Sequence, residues 1–205
     1  MKDKRKFLII FFILALVSLA PSFSYYVMYK EQYYKLYHIH YQQYPDDVME
    51  NIYYLERAAK ADFCNPQYAL ARINDKTDWE KYRYLFNMHL NLKLVEQHLR
   101  LGRIYDKNVA HFYDAPWKEE YLRDLEKTEI CYRAALVYWQ EAKLWSEKAG
   151  MGKFNFLCLT DIQNWEDEKY RIENHELDYE KMITRELTRL EKVRQDFLAM
   201  DENTY

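Results

Sequence analysis

From Phe7 to Tyr29 apolar residues run almost without a break, interrupted only by Ser18, Pro21, Ser22 and Ser24, and they follow the basic run Lys2-Asp3-Lys4-Arg5-Lys6. About twenty consecutive apolar residues cross the hydrocarbon core of a bilayer as one helix. The pattern predicts a transmembrane anchor over residues 7–29. Lys and Arg cluster ahead of the span, which places residues 1–6 in the cytoplasm and residues 30–205 on the periplasmic face of the cytoplasmic membrane. A cleaved signal sequence is the competing reading, with small residues at Ser18-Leu19-Ala20. Pro21 would directly follow that cut, and no cysteine near the end of the run could accept a lipid. The uncleaved anchor is therefore favoured.

Beyond the span the pattern turns helical. Tyr25, Tyr26, Tyr29, Tyr33, Tyr34, Tyr37, Tyr41 and Tyr44 recur partly at helical spacing, so a Tyr-rich juxtamembrane helix is expected over residues 30–45, continuing the anchor. The first rings suit an interfacial belt. A helix rises about 1.5 Å per residue, so rings past Tyr33 have left the headgroups and should pack on the domain. Pro45-Asp46-Asp47 opens a helix to about Asp62, and Phe63-Cys64-Asn65-Pro66 links it to a second ending near Asn74. Thr77-Asp78-Trp79-Glu80 has capping-box form and starts a helix reaching about Tyr105.

Asp106 to Ala115 reads as a loop, and Pro116 suits the first turn of a long helix to Ala149. Leu122, Leu125, Ile130, Ala134, Val137 and Leu144 drift around that helix, so it should be buried on two sides or broken once. Gly150-Met151-Gly152 stops it, and residues 150–160 form a loop. Thr160-Asp161-Ile162-Gln163 is a second capping-box match, opening a charged amphipathic C-terminal helix over residues 161–205. In it Ile172, Tyr179, Ile183, Leu187, Leu190, Val193, Phe197 and Met200 form one apolar stripe, expected to dock on its own domain in preference to a coiled-coil partner.

Composition narrows the fold class. The 205 residues contain only three Gly and four Pro, few turn residues for a sheet protein. An all-α fold is expected: one N-terminal transmembrane helix followed by antiparallel helical hairpins, with a packed domain over residues 46–149. A formal net charge of −3 suggests no nucleic-acid partner.

Two stretches resemble the tetratricopeptide repeat, a helix-turn-helix unit of about 34 residues. Leu55-Glu56-Arg57-Ala58-Ala59-Lys60-Ala61-Asp62-Phe63 is similar to the end of a second helix, where small Ala58, Ala59 and Ala61 admit a neighbour. Leu101-Gly102-Arg103-Ile104-Tyr105 is similar to the first-helix core, with Gly102 at the close contact, Tyr105 covering it, and His98 where the family has Trp. The resemblance implies helical hairpins over residues 46–149 that hold other proteins. The runs Tyr54 to Ala58, Ala69 to Ile73, Trp79 to Leu90 and Ala115 to Lys118 further resemble membrane-anchored repeat proteins of spirochaetes, some of which build the collar of the periplasmic flagellar motor. That likeness implies an assembly subunit whose partners are motor or collar proteins.

Candidate chemistry is sparse. His38 and His40 stand two apart and face different ways on a helix. His175-Glu176 lacks the second His of a zincin helix, and His89, His98 and His111 have no companion at ligand spacing. Cys64, Cys131 and Cys158 are odd in number and far apart, which suits small buried residues better than a disulfide framework. Glu166-Asp167-Glu168 reads as a solvated helix face. No phosphate loop, nucleophile elbow or dinucleotide fingerprint is present. No catalytic, cofactor or metal set is expected, and the expected function is a membrane-anchored protein-binding scaffold. Its binding residues are expected at Trp79, Tyr82, Phe86, Tyr105, Tyr113 and Trp117. The rival is a cell-envelope enzyme or small-ligand receptor with an all-α pocket lined by tryptophans.

Overall fold

The computed structural model describes residues 26–108, Ala110 and residues 115–200, with only the backbone described for Ala115, Pro116 and Gln163. Among them the fold is all-α: α1 (Lys30–Gln43), α2 (Val48–Lys60), α3 (Lys76–Tyr105), α4 (Ala115–Ala149), α5 (Gln163–Glu173) and α6 (Tyr179–Ala199), with 3-10 turns at Pro66–Tyr68 and Thr160–Ile162.

Residues 7–25 of the expected anchor lie outside the described residues. No described helix is long and apolar enough to cross a membrane. The expected continuous helix from Tyr25 through Tyr44 is corrected within the described part. Tyr29 is extended, at φ −107° and ψ 153°, and pairs with Asp62 in an isolated parallel bridge. The helix begins only at Lys30 because Gln32 Oε1 turns back to accept the backbone N–H groups of Met28 and Tyr29, at 2.8 and 3.0 Å. Lys30 then donates its side chain to the carbonyls of Ala58 and Ala59, capping the end of α2.

Helices α1 and α2 form a short antiparallel hairpin, with His40 beside Asn51 at the turn and Tyr33 beside Arg57 at the open end. Asp47 caps α2, its carboxylate accepting from Glu50 N. The helix expected between Pro66 and Asn74 is a single 3-10 turn. Helix α3 starts two residues earlier than the capping box suggested. Asp75 is the cap and accepts from both Thr77 N and Asp78 N, at 2.7 and 3.1 Å, so one charged acceptor satisfies two orphan donors.

The spine is the antiparallel pair α3 and α4, 30 and 35 residues long and unbroken. Tyr84 meets Trp145 at one end, and Thr128 Oγ1 donates to Gly102 O at the other, over 3.3 Å. A tetratricopeptide unit fits both its helices into about 34 residues. Here each helix alone is about that long, so the pair does not have the repeat's period. Gly102 is a close contact as the repeat pattern suggested, but Tyr132 covers it, not Tyr105; a Cβ on Gly102 would stand 2.5 Å from the Tyr132 ring. Ala58 is buried in the core, whereas Ala59 is exposed and Ala61 half-buried. Leu101 packs half-buried against the core.

The charged C-terminal segment is two helices, not one. Asn174 and His175 end α5, with His175 in the left-handed region at φ 58° and Glu176 N donating to Arg171 O over 2.9 Å. Asp178 then caps α6 through Lys181 N. The Thr160 capping box does not form: the chain enters α5 through a 3-10 turn, and Ile162 occupies the cap without a side-chain bond. Helix α6 lies antiparallel on α4, with Tyr179 against Trp139 and Phe197 against Tyr121. Ile183, Leu190, Val193 and Phe197 of the stripe are buried. Arg194–Glu129 and Arg189–Asp106 ion pairs flank the contact.

Candidate functional site

Trp165, on α5, is the point where the helices converge. Its buried ring stands edge-on to Phe86 at 5.4 Å and stacks on His89 at 5.1 Å, with Tyr82 and Tyr34 closing the other sides. Glu166, next in the chain, is buried with Lys81 of α3 in an ion pair. Lys81 Nζ also donates to Asn155 O over 2.8 Å, and Glu166 Oε1 accepts Leu157 N over 2.9 Å. Both charges are thus hydrogen-bonded as well as paired, the condition for a buried pair to persist.

Two turns further along α3, His89 links Glu168 to Tyr34. Its Nδ1 lies 2.6 Å from Glu168 Oε2 and its Nε2 lies 2.7 Å from the Tyr34 hydroxyl. A carboxylate only accepts, so a neutral His89 donates through Nδ1 and accepts the phenol proton at Nε2. Carboxylate, imidazole and hydroxyl in series have the form of an activated-nucleophile array. Burial, and secondarily Glu168 and Glu96, push the Tyr34 pKa upward, which keeps the phenol protonated. The array can orient and share a proton but does not generate a phenolate. Tyr34 borders a cleft of about 420 Å³ with Lys35, His38, Asp161 and Trp165.

A second cleft of about 430 Å³ lies between α4 and the α5–α6 turn. Trp139 and Ser146 line it, and neither Trp139 Nε1 nor Ser146 Oγ has a hydrogen-bond partner among the described residues. Lys143 and Glu180, 2.7 Å apart, stand at its edge, and His175 lines the turn. Among the described residues no group of three or more metal-ligating side chains converges. Burial raises the pKa of Cys64 to about 12 and that of Cys131 in the same direction, so neither thiol is activated. Cys158 is exposed, and all three cysteines are free.

The residues singled out for partner binding do not form one surface. Tyr82 and Phe86 are 0 % and 1 % exposed and belong to the core, because positions 82 and 86 face inward on α3 beneath Trp165. Trp79 is half-buried, stacked on Tyr82 at 5.0 Å. Tyr105 is half-buried under the Lys127 ammonium at 4.9 Å. Trp117 is 51 % exposed, and Tyr113 lies outside the described residues. Large apolar side chains are instead exposed elsewhere: Met49 and Tyr53 on α2, Tyr68 in the link, and Ile130, Val137 and Leu144 on α4. The Tyr34–His89–Glu168 series had no sequence signal, because its members are 55 and 79 residues apart. The Glu166 cluster read as solvated is half inward-facing, since Asp167 is exposed while Glu166 is buried.

Residues 77–200, which are helices α3 to α6 almost to their ends, match a family model described as a domain of unknown function, DUF8513. No curated protein and no solved structure matches the chain.

Proposed function

The chain belongs to the DUF8513 family, a domain of unknown function, and on that footing we propose that it is a protein-binding scaffold and not an enzyme. The observation that carries this reading is a division of labour among side chains. The Tyr34–His89–Glu168 series is closed by internal hydrogen bonds with its phenol held protonated, and burial holds the Cys64 and Cys131 thiols unreactive, while large apolar side chains are left open on the helices. Open apolar side chains aligned on one helix face, as Ile130, Val137 and Leu144 are at seven-residue steps on α4, suit a docking protein. The experiment is photo-cross-linking in cells with the full chain, placing the reactive group at Tyr53, at Trp117 or at buried Phe86. Discrete adducts of one mass from Tyr53 or Trp117 and none from Phe86 are expected; no adduct from either exposed position overturns the reading.

The scaffold is proposed to sit on the periplasmic face of the cytoplasmic membrane, held by residues 7–29. The basic run ahead of the apolar stretch supports that placement. Cys158, the exposed thiol, reports it: a membrane-impermeant maleimide should label Cys158 once the outer membrane is opened, and labelling only after lysis overturns it. A narrower form, a subunit of the flagellar collar, rests on the likeness of Trp79 to Leu90 and its companion runs to spirochaetal proteins.

One observation favours a second reading, a small-ligand receptor. Two buried polar groups with no hydrogen-bond partner among the described residues, Trp139 Nε1 and Ser146 Oγ, border a cleft large enough for a small molecule. A screen of small polar metabolites by thermal shift, repeated on Ser146→Ala, separates this reading from the first. A shift abolished by the substitution supports a receptor, and no shift removes it.

A further inference from the structure

The outer face of α4 carries a pattern that reads the same from either end. Ile130, Val137 and Leu144 stand seven residues apart and are 62 %, 63 % and 43 % exposed. Seven residues are nearly two helical turns, so the three form one line. The buried side of α4, with Leu125, Tyr132 and Trp139, lies on the opposite face. Four charged residues interleave with the line: Glu126 before Ile130, Arg133 before Val137, Glu141 after Val137, and Lys148 after Leu144. Read in order, the face is acid, apolar, base, apolar, acid, apolar, base. The steps between these positions are symmetric about Val137, while the sign of the charge inverts.

We propose that this face is a homodimer interface in which α4 of two copies pairs antiparallel on a two-fold axis through Val137. Ile130 then meets the partner's Leu144, and Val137 meets its own counterpart. Arg133 faces the partner's Glu141, and Glu126 faces the partner's Lys148. A two-fold interface repeats each contact, so each charge pair forms twice. Parallel pairing sets each charge against its like. Sliding the antiparallel pair by seven residues sets Glu126 on the partner's Glu141 in one direction and Arg133 on the partner's Lys148 in the other. The pattern therefore specifies orientation and register together, which is the usual work of charges flanking a helical seam.

The acids are available for such contacts. The side chains of Glu126 and Glu141 make no hydrogen bond or ion pair among the described residues. Arg133 spends Nε and Nη2 on Glu129, leaving Nη1, and the Lys148 ammonium rests on the Trp145 ring at 3.9 Å, at the rim of the same face. This inference rests on the scaffold reading and names one partner for it, a second copy.

The test uses the full chain, expressed in two differently tagged forms, with Cys158→Ser to remove the exposed native thiol. One form carries Ile130→Cys and the other Leu144→Cys, and mild oxidation should yield mixed-tag disulfide dimers. Neither variant alone should cross-link to itself. Absence of mixed-tag product, or self-cross-linking of Ile130→Cys in its place, overturns the proposal. Adding Arg133→Glu to both forms should lower the mixed-tag yield about tenfold through like-charge apposition. Adding Glu141→Arg to that background should restore it, which loss of the Glu129 contact alone could not produce. An unchanged yield with Arg133→Glu overturns the register. Adducts to another protein without self-cross-linking would retain the scaffold reading and remove this one.

Discussion

Gly102 sits where α3 closely approaches α4, against the ring of Tyr132. A Cβ there would stand 2.5 and 2.8 Å from two ring carbons and 3.3 Å from Cys131 Cβ. The ring cannot retreat, because it is buried and its hydroxyl donates to Asp106 over 2.9 Å. Alanine gains about 1 kcal/mol of helix propensity over glycine, and overpacking a core costs ~1–3 kcal/mol. The immovable ring places Gly102→Ala at the upper part of that range, so a net loss of about 1–2 kcal/mol is expected in denaturant unfolding. His98 titrates instead. It is half-buried, stacked on Tyr138 at 5.2 Å, and neither ring nitrogen has a partner among the described residues. Burial holds its pKa below the ordinary value, with Glu56 pulling weakly upward. For a base whose folded pKa is depressed, the contribution to stability is complete above the unfolded pKa of about 6.5 and drains away as pH falls below it. The melting temperature should therefore fall more steeply from about pH 7 to pH 5 in the native chain than in His98→Phe; equal slopes would assign the effect elsewhere. The buried Lys81–Glu166 pair carries the largest single-residue cost. Lys81→Met leaves Glu166 charged and uncompensated, and a loss of about 3–5 kcal/mol is expected by the same unfolding measurement.

Helix ends show most plainly what a sequence pattern can and cannot convey. The stop at Gly150, the end of α3 at Tyr105 and the start of α4 at Ala115 were legible, because each is written by a local signal: a glycine, a polar gap, a proline in the first turn. The start of α3 differs because Asp75, two residues upstream, is itself a good cap: it holds Thr77 N and Asp78 N, so the helix already runs through Thr77, and Trp79 N donates to Asp75 O at 3.0 Å. The break between α5 and α6 was invisible, since it uses Asn174, His175 and Asp178 with no glycine or proline. That break makes its own prediction. A non-glycine residue in the left-handed region costs about 1–2 kcal/mol, and glycine regains part of that while adding ~0.4–1 kcal/mol of unfolded-state entropy. The first effect wins, so His175→Gly should stabilise the chain by about 0.5–1 kcal/mol in thermal unfolding. A destabilised variant would mean that the His175 side chain itself supports the turn. The Tyr34–His89–Glu168 series is the opposite case. It joins α1, α3 and α5, and only tertiary packing brings those helices together.

At the scale of the whole molecule, the family span and the folded body are not the same thing. The matched residues 77–200 supply Tyr82, Phe86, His89 and Trp165, but Tyr34 and Phe63, which cover that cluster, come from the segment before it. Residues 77–200 expressed alone should therefore expose the cluster, bind a hydrophobic dye and unfold at lower urea than the chain containing α1 and α2. Equal midpoints would show that the hairpin is an accessory. The hairpin is itself joined to the chain ahead of it in an unusual way. Tyr29 is bridged to Asp62, Lys30 N donates to Asp62 O over 2.8 Å, and the Lys30 side chain grips the carbonyls of Ala58 and Ala59. Mechanically these bonds form a clamp. Tension applied along the chain ahead of Tyr29 is delivered to the far end of α2 as well as to α1, so the two helices share the load, and several bonds must shear together before either helix begins to unwind.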